Sequence, residues 1–537
     1  MAHARLDEVL LEAAAAASPR ALLSIVIPFS LVLLPLLLRK ITASTKGAAA
    51  AAAASDAKLL SLLPSPASKL PIIGHLHLMG DLPYVAMAGL ATKYGPDIML
   101  IRLGAVPTVV VSSPRTAEAV LRTHDHAFAS RPRSMVSDVI MYGATDSCFA
   151  PYGEHFRKAR KLVTVHLLNA MKVRSQRPAR EEEIRNVMGK VGEAAAAREA
   201  VDMSEILHSY VNDLVCRAVS GKFSQEEGRN KLFRELTDIN AGLLGGFNVG
   251  DFFPSLGKLE LFRKWASAKA MRVRKRWDQL LDKLIEDHAI KMARREDVAE
   301  GEQEDKDFIY VLLSLQQEYG LTRDHMKAIL IDMFEAGTDT SYMTLEFAMA
   351  ELIQKPHLMK KLQEEVRKNV PVGQEMVTED HLPNMTYLKA VIKETLRLHP
   401  PVPLMIPHFS LDACDVDGYT IPPNTRVVVN AWALGRHSGY WENANEFQPE
   451  RFVKGDGANT VDLKANEFHF LAFGSGRRMC PGVHSASATI ETMLANLMYR
   501  FDWKLSEGMK EEDIDMTEVF GITVSRKEKL LLVPETA

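Results

Sequence analysis

Apolar residues recur at helical spacing through most of the chain from about residue 114 onward. The clearest predicted helices are residues 308–319, 326–352 and 385–398. Runs of β-branched residues predict short strands near residues 98–103, 106–112, 426–430 and 530–533. Neither an internal repeat nor a second linker divides this part of the chain. The pattern therefore favours a fold that is mainly α with a small β-rich lobe, in a single domain.

The N-terminal region has a different pattern. Residues 21–38 are apolar apart from Ser24 and Ser30 and carry no charge. As a helix they would reach roughly 27 Å, about the thickness of a thin membrane. Arg39 and Lys40 follow this stretch, which predicts that the longer C-terminal part stays in the cytosol. A cleaved signal peptide is the alternative, but the apolar stretch is longer than a typical signal sequence, which favours a single-pass anchor.

The boundaries of the other parts follow from that anchor. Residues 1–20 would be a short luminal N-terminus, and residues 39–70 an alanine-rich and proline-rich linker or hinge. Residues 71–537 would form the functional domain. Prolines between residues 64 and 74 fix φ and are expected to hold the chain extended after the anchor.

Composition excludes some classes of function. The chain has 537 residues with a net charge of −3, which argues against nucleic acid as the main partner. Its four cysteines lie far apart and show no CxxC or Cys/His pairing, so neither a disulfide framework nor a zinc site is indicated. A reducing compartment is the simpler interpretation.

The strongest chemical signal is Cys480, which lies behind a glycine-rich turn containing Gly474 and Gly476. A thiolate presented in this way can ligate iron as a single soft donor. Pro481 fits the first position of a following helix, whose N-terminus would stabilise the thiolate. A buried free cysteine is the alternative, but such a residue would not need two arginines packed beside it.

This stretch also carries a family resemblance. Phe473, Gly476, Arg478, Cys480 and Gly482 match the spacing Phe-x-x-Gly-x-Arg-x-Cys-x-Gly, the haem-binding signature of the cytochrome P-450 superfamily. The resemblance covers essentially the whole chain after residue 70, and the details are similar to plant microsomal members. It implies a single cytochrome P-450 domain that binds haem b, with Cys480 as the axial thiolate ligand of the iron.

A second motif lies inside a predicted helix, from Ala336 to Thr340. Glycine and threonine are unfavourable in helix interiors, which indicates a role other than helix formation. A threonine hydroxyl can bond to a carbonyl one turn earlier, and Gly337 allows close approach. A polar stripe between helices is the alternative. The resemblance implies that Asp339 and Thr340 are catalytic and deliver protons where O2 is activated.

The resemblance implies two further groups of residues. Glu394, Arg397 and Arg451 match a structural triad that supports the cysteine loop. The residues matching the haem-contacting positions are Arg478, Arg160, Phe156, Phe473 and His408. Two of them depart from the family pattern: Phe156 stands where tryptophan is usual, and His408 where plant members usually have arginine.

Substrate and partners are implied in the same way. Ala336, Val402 and Phe520 are expected at a pocket for a small apolar aromatic substrate. A basic cluster comprises Arg157, Lys158, Arg160, Lys161 and Arg477. A merely solvated cationic helix is the alternative, but the resemblance implies a flavoprotein partner, the NADPH-cytochrome reductase. The anchor predicts contact with membrane lipid and residence in the endoplasmic reticulum membrane.

The expected function is that of a haem-thiolate monooxygenase of plant secondary metabolism, which uses O2 and NADPH-derived electrons. Two alternatives stay open. A haem-thiolate isomerase or dehydratase would use the same cysteine loop without needing protons for oxygen. A membrane-anchored haem protein without enzyme activity would need neither the proton relay nor the apolar pocket.

Overall fold

The computed structural model describes residues 48–221, 229–294, 306–453 and 467–537. The predicted anchor, residues 21–38, and the N-terminal segment before it lie outside these ranges. Among the described residues, no helix combines the length and apolar character needed to cross a membrane.

Helices make up most of the described chain. In chain order they are α1 (Ala48–Leu60), α2 (Pro83–Tyr94), α3 (Pro114–Glu118), α4 (Met135–Ile140), α5 (Glu154–Leu162), α6 (Ala170–Ser175), α7 (Arg177–Ala197), α8 (Met203–Ser220), α9 (Arg229–Gly245), α10 (Val249–Phe252), α11 (Pro254–Gly257), α12 (Glu260–Ala293), α13 (Phe308–Ser314), α14 (Gln316–Tyr319), α15 (Arg323–Gln354), α16 (Pro356–Asn369), α17 (Thr386–Leu398), α18 (Ala431–Leu434) and α19 (Val483–Arg500).

The strands are short and form separate small sheets. They are β1 (Ile98–Leu103), β2 (Val106–Val111), β3 (Val201–Asp202), β4 (His408–Phe409), β5 (Cys414–Val416), β6 (Tyr419–Ile421), β7 (Arg426–Val429), β8 (Phe501–Lys504), β9 (Glu518–Phe520), β10 (Val524–Arg526) and β11 (Leu531–Thr536). The largest sheet has the order β1-β2-β7-β4, in which β2 and β7 are parallel and the other neighbours antiparallel. A second sheet has the order β3-β11-β8, and β5-β6 and β9-β10 are hairpins. The expected mainly α fold with a small β-rich lobe is confirmed.

Helix α15 runs through the middle of this fold and contributes to two apolar clusters. Its residues 328–334 pack with α4, α9, α12 and α13, whereas its residues 345–353 pack with α7, α8, α16, α17 and α19. Between these two segments lie Ala336, Gly337 and Thr340. The predicted polar motif therefore occupies the gap between two hydrophobic cores, where a helix can border a cavity instead of being covered on all sides.

The expected linker is partly structured. Residues 48–60, which are mostly alanine at the start, form helix α1, since alanine has the highest helix propensity. Leu60 and Leu63 are buried and belong to the apolar cluster of the main sheet. Pro64 also accepts a hydrogen bond from the Leu100 amide in β1, at 2.7 Å. The C-terminal half of the expected hinge is therefore attached to the folded body, because its leucines find apolar partners there.

Gly74 lies at the end of the proline-rich segment, where the backbone packs closely against β1. It has φ of 62°, and a Cβ atom at this position would lie 2.3 Å from the Arg102 carbonyl oxygen. The next residue, His75, donates its amide to that same carbonyl at 2.6 Å, and its Nδ1 accepts the Arg102 amide at 2.9 Å. The close approach of two backbones requires glycine here.

We expect Gly74→Ala to lower the thermal unfolding midpoint far more than Gly80→Ala. Gly80 has φ of 59° but no atom within 4 Å of the added Cβ, so its substitution isolates the backbone strain of about 1 kcal/mol. At Gly74 the backbone clash is added, and we expect a total loss of about 3 kcal/mol or more. Thermal unfolding of both variants, followed by circular dichroism, measures the difference. Equal midpoints would contradict the steric argument.

Candidate active site

The cysteine loop folds back on itself before α19. Gly474 and Gly476 both have positive φ, and a Cβ on Gly476 would lie 2.4 Å from the Leu121 carbonyl oxygen. The Cys480 amide donates to the Phe473 carbonyl at 2.8 Å, and the Gly482 amide donates to Cys480 Sγ at 3.3 Å. The structure thus aims a backbone amide at the sulfur.

The expected position of Pro481 is wrong. Helix α19 begins at Val483, with Gly482 as its N-cap, so Pro481 lies outside the helix. The physical reason is the turn at Gly482, whose amide faces the sulfur of Cys480 and not a carbonyl of the helix. The thiolate is still stabilised from the helix start, but by this single amide.

Cys480 lines a cavity that reaches the protein surface, since the lining also includes the exposed Met171. Its side chain is exposed because it faces that cavity, although protein surrounds the loop on its other sides. Burial raises the pKa of the Cys480 thiol, whereas the Gly482 amide and the Arg160 guanidinium favour the thiolate. The sulfur is therefore held at the wall of the cavity with two groups that stabilise its ionised form.

The cavity is large, with a volume of about 1970 Å³. Most pockets for small ligands measure only about 300–1,000 Å³. Cys480 and Phe473 belong to its lining on the loop side, and Ala336, Gly337 and Thr340 of α15 belong to it as well. The cavity has room for a large planar group and a small substrate together.

The α15 segment has the predicted local geometry. Thr340 Oγ1 donates to the Ala336 carbonyl at 2.7 Å, one turn earlier. A Cβ on Gly337 would lie 3.0 Å from Val215 of α8, so glycine lets the two helices approach closely. The helix stays continuous through this motif, and Ala336 remains exposed to the cavity.

Asp339 does not belong to the cavity wall, unlike its neighbour Thr340. It is absent from the described cavity lining, and its carboxylate accepts a hydrogen bond from Thr523 at 3.3 Å. Burial, assisted by the nearby Asp238, raises the pKa of Asp339 to about 7. Asp339 and Thr340 are neighbours in sequence but face different surroundings, one a packed interhelical region and the other the cavity.

Three arginines also line the cavity: Arg131, Arg160 and Arg478. Their guanidinium groups donate to backbone carbonyls. Arg131 bonds to the Ile406 carbonyl at 2.6 Å, Arg160 to that of Met479, and Arg478 to that of Ala150 at 2.6 Å. None of the three forms an ion pair with a carboxylate of the described residues.

This group of cations is electrostatically incomplete. Burial lowers the pKa of Arg131 to about 9 and that of Arg478 to about 10; repulsion from neighbouring arginines acts in the same direction, whereas the nearby Asp146 carboxylate acts in the opposite one. Burying a charge without a directly paired counter-ion costs several kcal/mol per ion. The three guanidinium groups therefore favour an anionic ligand in the cavity.

The other two predicted haem contacts differ in position. His408 lines the cavity, and its Nδ1 contacts the Phe128 carbonyl at 2.8 Å. Burial lowers the pKa of His408 to about 3, so the imidazole is neutral at physiological pH. Phe156 is not part of the described lining; the Arg478 guanidinium lies 3.7 Å from the centre of its ring. Phe156 would thus orient an arginine by a cation–π contact and not by a hydrogen bond.

The structure brings the predicted triad together. Arg397 forms a bidentate pair with Glu394, with both N–O distances 2.7 Å, and Arg451 Nε donates to Glu394 at 3.1 Å. The Gln448 amide donates to the same carboxylate at 2.7 Å. Because the side chains of Glu394 and Arg397 are fully buried, this network joins α17 to the segment before the cysteine loop with little freedom of movement.

The predicted substrate residues are only partly brought together. Ala336 and Val402 line the cavity, with Met333 and Ile406 as further apolar lining. Phe520 is absent from the described lining; its ring packs 5.9 Å from that of Tyr84.

Sequence reasoning missed several polar residues of the lining, among them Arg131 and Asp332. Arg131 lies between Ser130 and Pro132, and this short polar run gave no sign of a position at a cavity. Asp332 precedes the polar motif of α15 and accepts hydrogen bonds from the amide and hydroxyl of Ser147 at 2.7 and 2.8 Å. Helical periodicity assigned Asp332 to the core helix and gave no sign that it borders a cavity.

These residues fit haem. The cavity offers a single sulfur ligand with a stabilising amide, a volume larger than one small ligand requires, and unpaired cations for the two propionate groups. In a bound state, Cys480 would hold the iron, and Arg131, Arg160, Arg478 and His408 would face the propionates.

Comparison with known proteins agrees with this fit. The sequence profile of the family described as Cytochrome P450 matches residues 64–533. An indole-2-monooxygenase of Zea mays is 78% identical over 100% of this chain and 99% of its own length. A 3-hydroxyindolin-2-one monooxygenase of Zea mays is 51% identical over 88% of each chain, and an indolin-2-one monooxygenase of the same species is 50% identical over 94% of this chain and 95% of its own.

Solved structures show the same fold. A zebrafish cytochrome P450 with abiraterone superposes with a TM-score of 0.69, covering 85% of this chain and 100% of its own, at 24% identity. At this identity the likeness concerns the fold alone.

We expect Arg131→Gln to affect the haem-loaded chain more than the haem-free chain. Without haem, relief of the buried charge opposes the loss of the guanidinium hydrogen bonds to the carbonyls of Cys148, Ile406 and Pro407, so stability should change little. With haem, the lost charge-assisted hydrogen bond should speed haem release at least tenfold, or about 1.4 kcal/mol. Thermal unfolding of both forms and haem transfer to apomyoglobin measure these effects.

Arg133→Gln is the matched control, because Arg133 is exposed and paired with Asp138 at 2.8 Å. It should alter neither measurement. A purely structural role of Arg131 would instead destabilise both forms of the Arg131→Gln variant equally.

Proposed function

The chain belongs to the cytochrome P450 family, and we propose that it oxidises indole to indolin-2-one in benzoxazinoid biosynthesis, using O2 and electrons from NADPH. As a member of this family it is a haem-thiolate monooxygenase, and the haem supplies the activation of molecular oxygen. One oxygen atom enters the product, and the other leaves as water with two electrons and two protons. The similarity to the Zea mays indole-2-monooxygenase, 78% identical over the full length, carries the choice of substrate.

The cavity supports a small apolar aromatic substrate. Its wall beside α15 contains Met333 and Ala336, and Val402 and Ile406 from the segment after α17 add to it. These side chains can bury an aromatic ring and exclude water but offer no strong hydrogen bonds. Binding would therefore depend mainly on shape, as a bicyclic heterocycle without charge requires.

The proposed roles of Thr340 and Asp339 follow from the positions of their side chains relative to the cavity. The Thr340 side chain lies at the cavity with its hydroxyl bonded to the Ala336 carbonyl, so it can hold a proton donor at the reacting face. Asp339 reaches toward α9, whose Asp238 is exposed. Rotation of the Asp339 side chain would carry a proton from that side toward Thr340.

We further propose an NADPH-cytochrome reductase as the electron donor. Arg157, Lys158 and Lys161 are exposed on α5, and Arg477 is exposed in the cysteine loop. Both elements belong to the side of the protein that holds Cys480, since Arg160 of α5 contacts Met479. A cationic surface near the thiolate suits an acidic flavoprotein domain.

We also propose attachment to the endoplasmic reticulum membrane through residues 21–38. Exposed apolar side chains near α10 and α12 support a lipid-facing side of the body, since Phe247 is 51% and Leu261 84% exposed. Trp265, on the first turns of α12, is also exposed and suits a membrane interface.

The substrate assignment is tested by incubating the haem-loaded protein with indole, NADPH, a reductase and ¹⁸O2. We expect indolin-2-one carrying one labelled oxygen atom, identified by mass spectrometry. Parallel incubations with indolin-2-one and 3-hydroxyindolin-2-one test a later step of the same pathway. Turnover of either compound at a higher kcat/KM than indole would replace the proposal, and product formed without NADPH would indicate an isomerase or dehydratase.

We expect Thr340→Val to uncouple NADPH oxidation from product formation. The change keeps the shape of the side chain but removes the hydroxyl at the cavity. Product per NADPH should fall several-fold while NADPH consumption continues. Thr338→Val is the control, because the Thr338 hydroxyl is buried without a partner and is absent from the described lining. Equal coupling in the two variants would remove the role assigned to Thr340.

A further inference from the structure

Three helices bring a histidine and two carboxylates together outside the cavity. His208 lies on α8, Asp238 on α9 and Asp339 on α15. One nitrogen or oxygen atom from each residue lies within 4.8 Å of the other two, and His208 Nε2 is 3.9 Å from Asp238 Oδ1. The three residues are far apart in sequence, so the fold alone creates this cluster.

Two atoms of the cluster lack partners. His208 Nε2 and Asp339 Oδ1 are buried, and neither has a hydrogen-bond partner among the described residues. The two residues are only 5% and 3% exposed. Leaving a buried polar atom unpaired costs about 1–3 kcal/mol. Two unpartnered atoms on residues of one such cluster indicate that a ligand completes them.

We propose that His208, Asp238 and Asp339 bind a divalent transition-metal ion such as Zn²⁺. Imidazole nitrogen and carboxylate oxygen are common zinc ligands, and three protein ligands with a water complete a tetrahedral site. With bonds of about 2.1 Å, ligand atoms in such a site lie about 3.4 Å apart. The observed separations need only small side-chain movements to reach that value.

The surroundings hold the ligands in place. The His208 ring stacks on the Tyr342 ring, with centroids 4.2 Å apart and an interplanar angle of 13°. Thr523 Oγ1 donates to Asp339 Oδ2 at 3.3 Å, which leaves Oδ1 for the metal. Such outer contacts are typical of metal sites.

The cluster is also accessible from solvent. His208 and Tyr342 line a small cleft of about 150 Å³, and the Asp238 side chain is 56% exposed. An ion can enter from this side without passing through the cavity. The exposed Asp238 would be the first ligand that it meets.

The charges around the cleft are of both signs. Arg234 pairs with Glu205 at 2.5 Å, Arg526 with Glu346 at 3.4 Å, and Lys529 with Asp202 at 2.6 Å; all three cations line the cleft together with Lys527. Arg234 also attracts the Asp238 carboxylate. The proposed site therefore depends on its three ligand atoms and not on the surrounding field.

Metal binding would affect catalysis through Asp339. An ion on Asp339 Oδ1 holds that carboxylate toward His208 and replaces the proton it would carry to Thr340. Zinc would then lower product formation while NADPH oxidation continues. This consequence rests on the proposed role of Asp339, whereas the binding site itself does not.

Binding is tested by calorimetric titration of the haem-loaded full-length protein with Zn²⁺. We expect one site that weakens at least tenfold in both His208→Phe and Asp238→Asn. The phenylalanine keeps the ring that stacks on Tyr342, and Asp238 is exposed, so both variants should fold and keep the haem absorption spectrum. His437→Phe is the control: this histidine contacts Tyr440, at 5.5 Å between ring centroids, in a segment remote in sequence from the cluster. Unchanged zinc affinity in the first two variants would overturn the site.

The effect on turnover is measured separately. Zinc should lower product per NADPH in the unsubstituted protein and in His437→Phe, but not in His208→Phe at the same concentration. If the variants lose zinc binding but zinc does not alter coupling in the unsubstituted protein, the site stands and the role of Asp339 in proton delivery is wrong. Inhibition that persists in His208→Phe would exclude this cluster as its origin.

Discussion

Three guanidinium groups beside one cavity, with no ion pair to a carboxylate of the described residues, are the constraint on which the surroundings of Cys480 depend. Arg131, Arg160 and Arg478 come from three separate segments, and backbone carbonyls satisfy their donors but not their charge. Asp146 and Asp332 attract these cations without pairing with them, and an anionic ligand would offset the remaining cost of burying the charges. Arg478 precedes Cys480 by two residues and donates to the carbonyls of Cys148 and Ala150, so a ligand held by Arg478 would lie close to the sulfur.

The buried carboxylate of Glu394, by contrast, finds all its partners within the protein. It accepts hydrogen bonds from two arginines and a backbone amide, so its own charge and acceptors are satisfied, and the excess positive charge lies on Arg451, which is partly exposed. Arg397 also donates to the carbonyls of Gly435, Ala444 and Glu446 at 2.6–2.9 Å. A satisfied buried network is rigid, because any displacement leaves a charge unpaired. The cysteine loop thus lies between a rigid support and an arginine group that needs its ligand.

Sequence reasoning identified the features that depend on residues close together in the chain. Periodicity predicted residues 326–352 as a helix, and α15 covers Arg323–Gln354. The cysteine motif and the Thr340 back-bond also follow from short-range rules. What it missed depends on contacts between distant segments: Arg131 and Asp332 reach the cavity, Phe520 packs on Tyr84, and Leu60 joins the sheet core. Residue spacing carries no information about such pairings, since the fold decides which surfaces meet.

The cavity wall also bears on the choice between indole and its oxidised relatives. The hydroxyls of Thr340 and Ser147 already donate, to the Ala336 carbonyl and to Asp332, so neither is free to donate to a substrate carbonyl. An indolinone that placed its carbonyl against this wall would lose its hydrogen bonds to water, at a cost of about 1–3 kcal/mol. Indole has no carbonyl and avoids that cost. A wall of this kind would bind indole and release indolin-2-one, because oxidation adds the acceptor that these two side chains cannot satisfy. By contrast, shape alone discriminates poorly between rings of similar size.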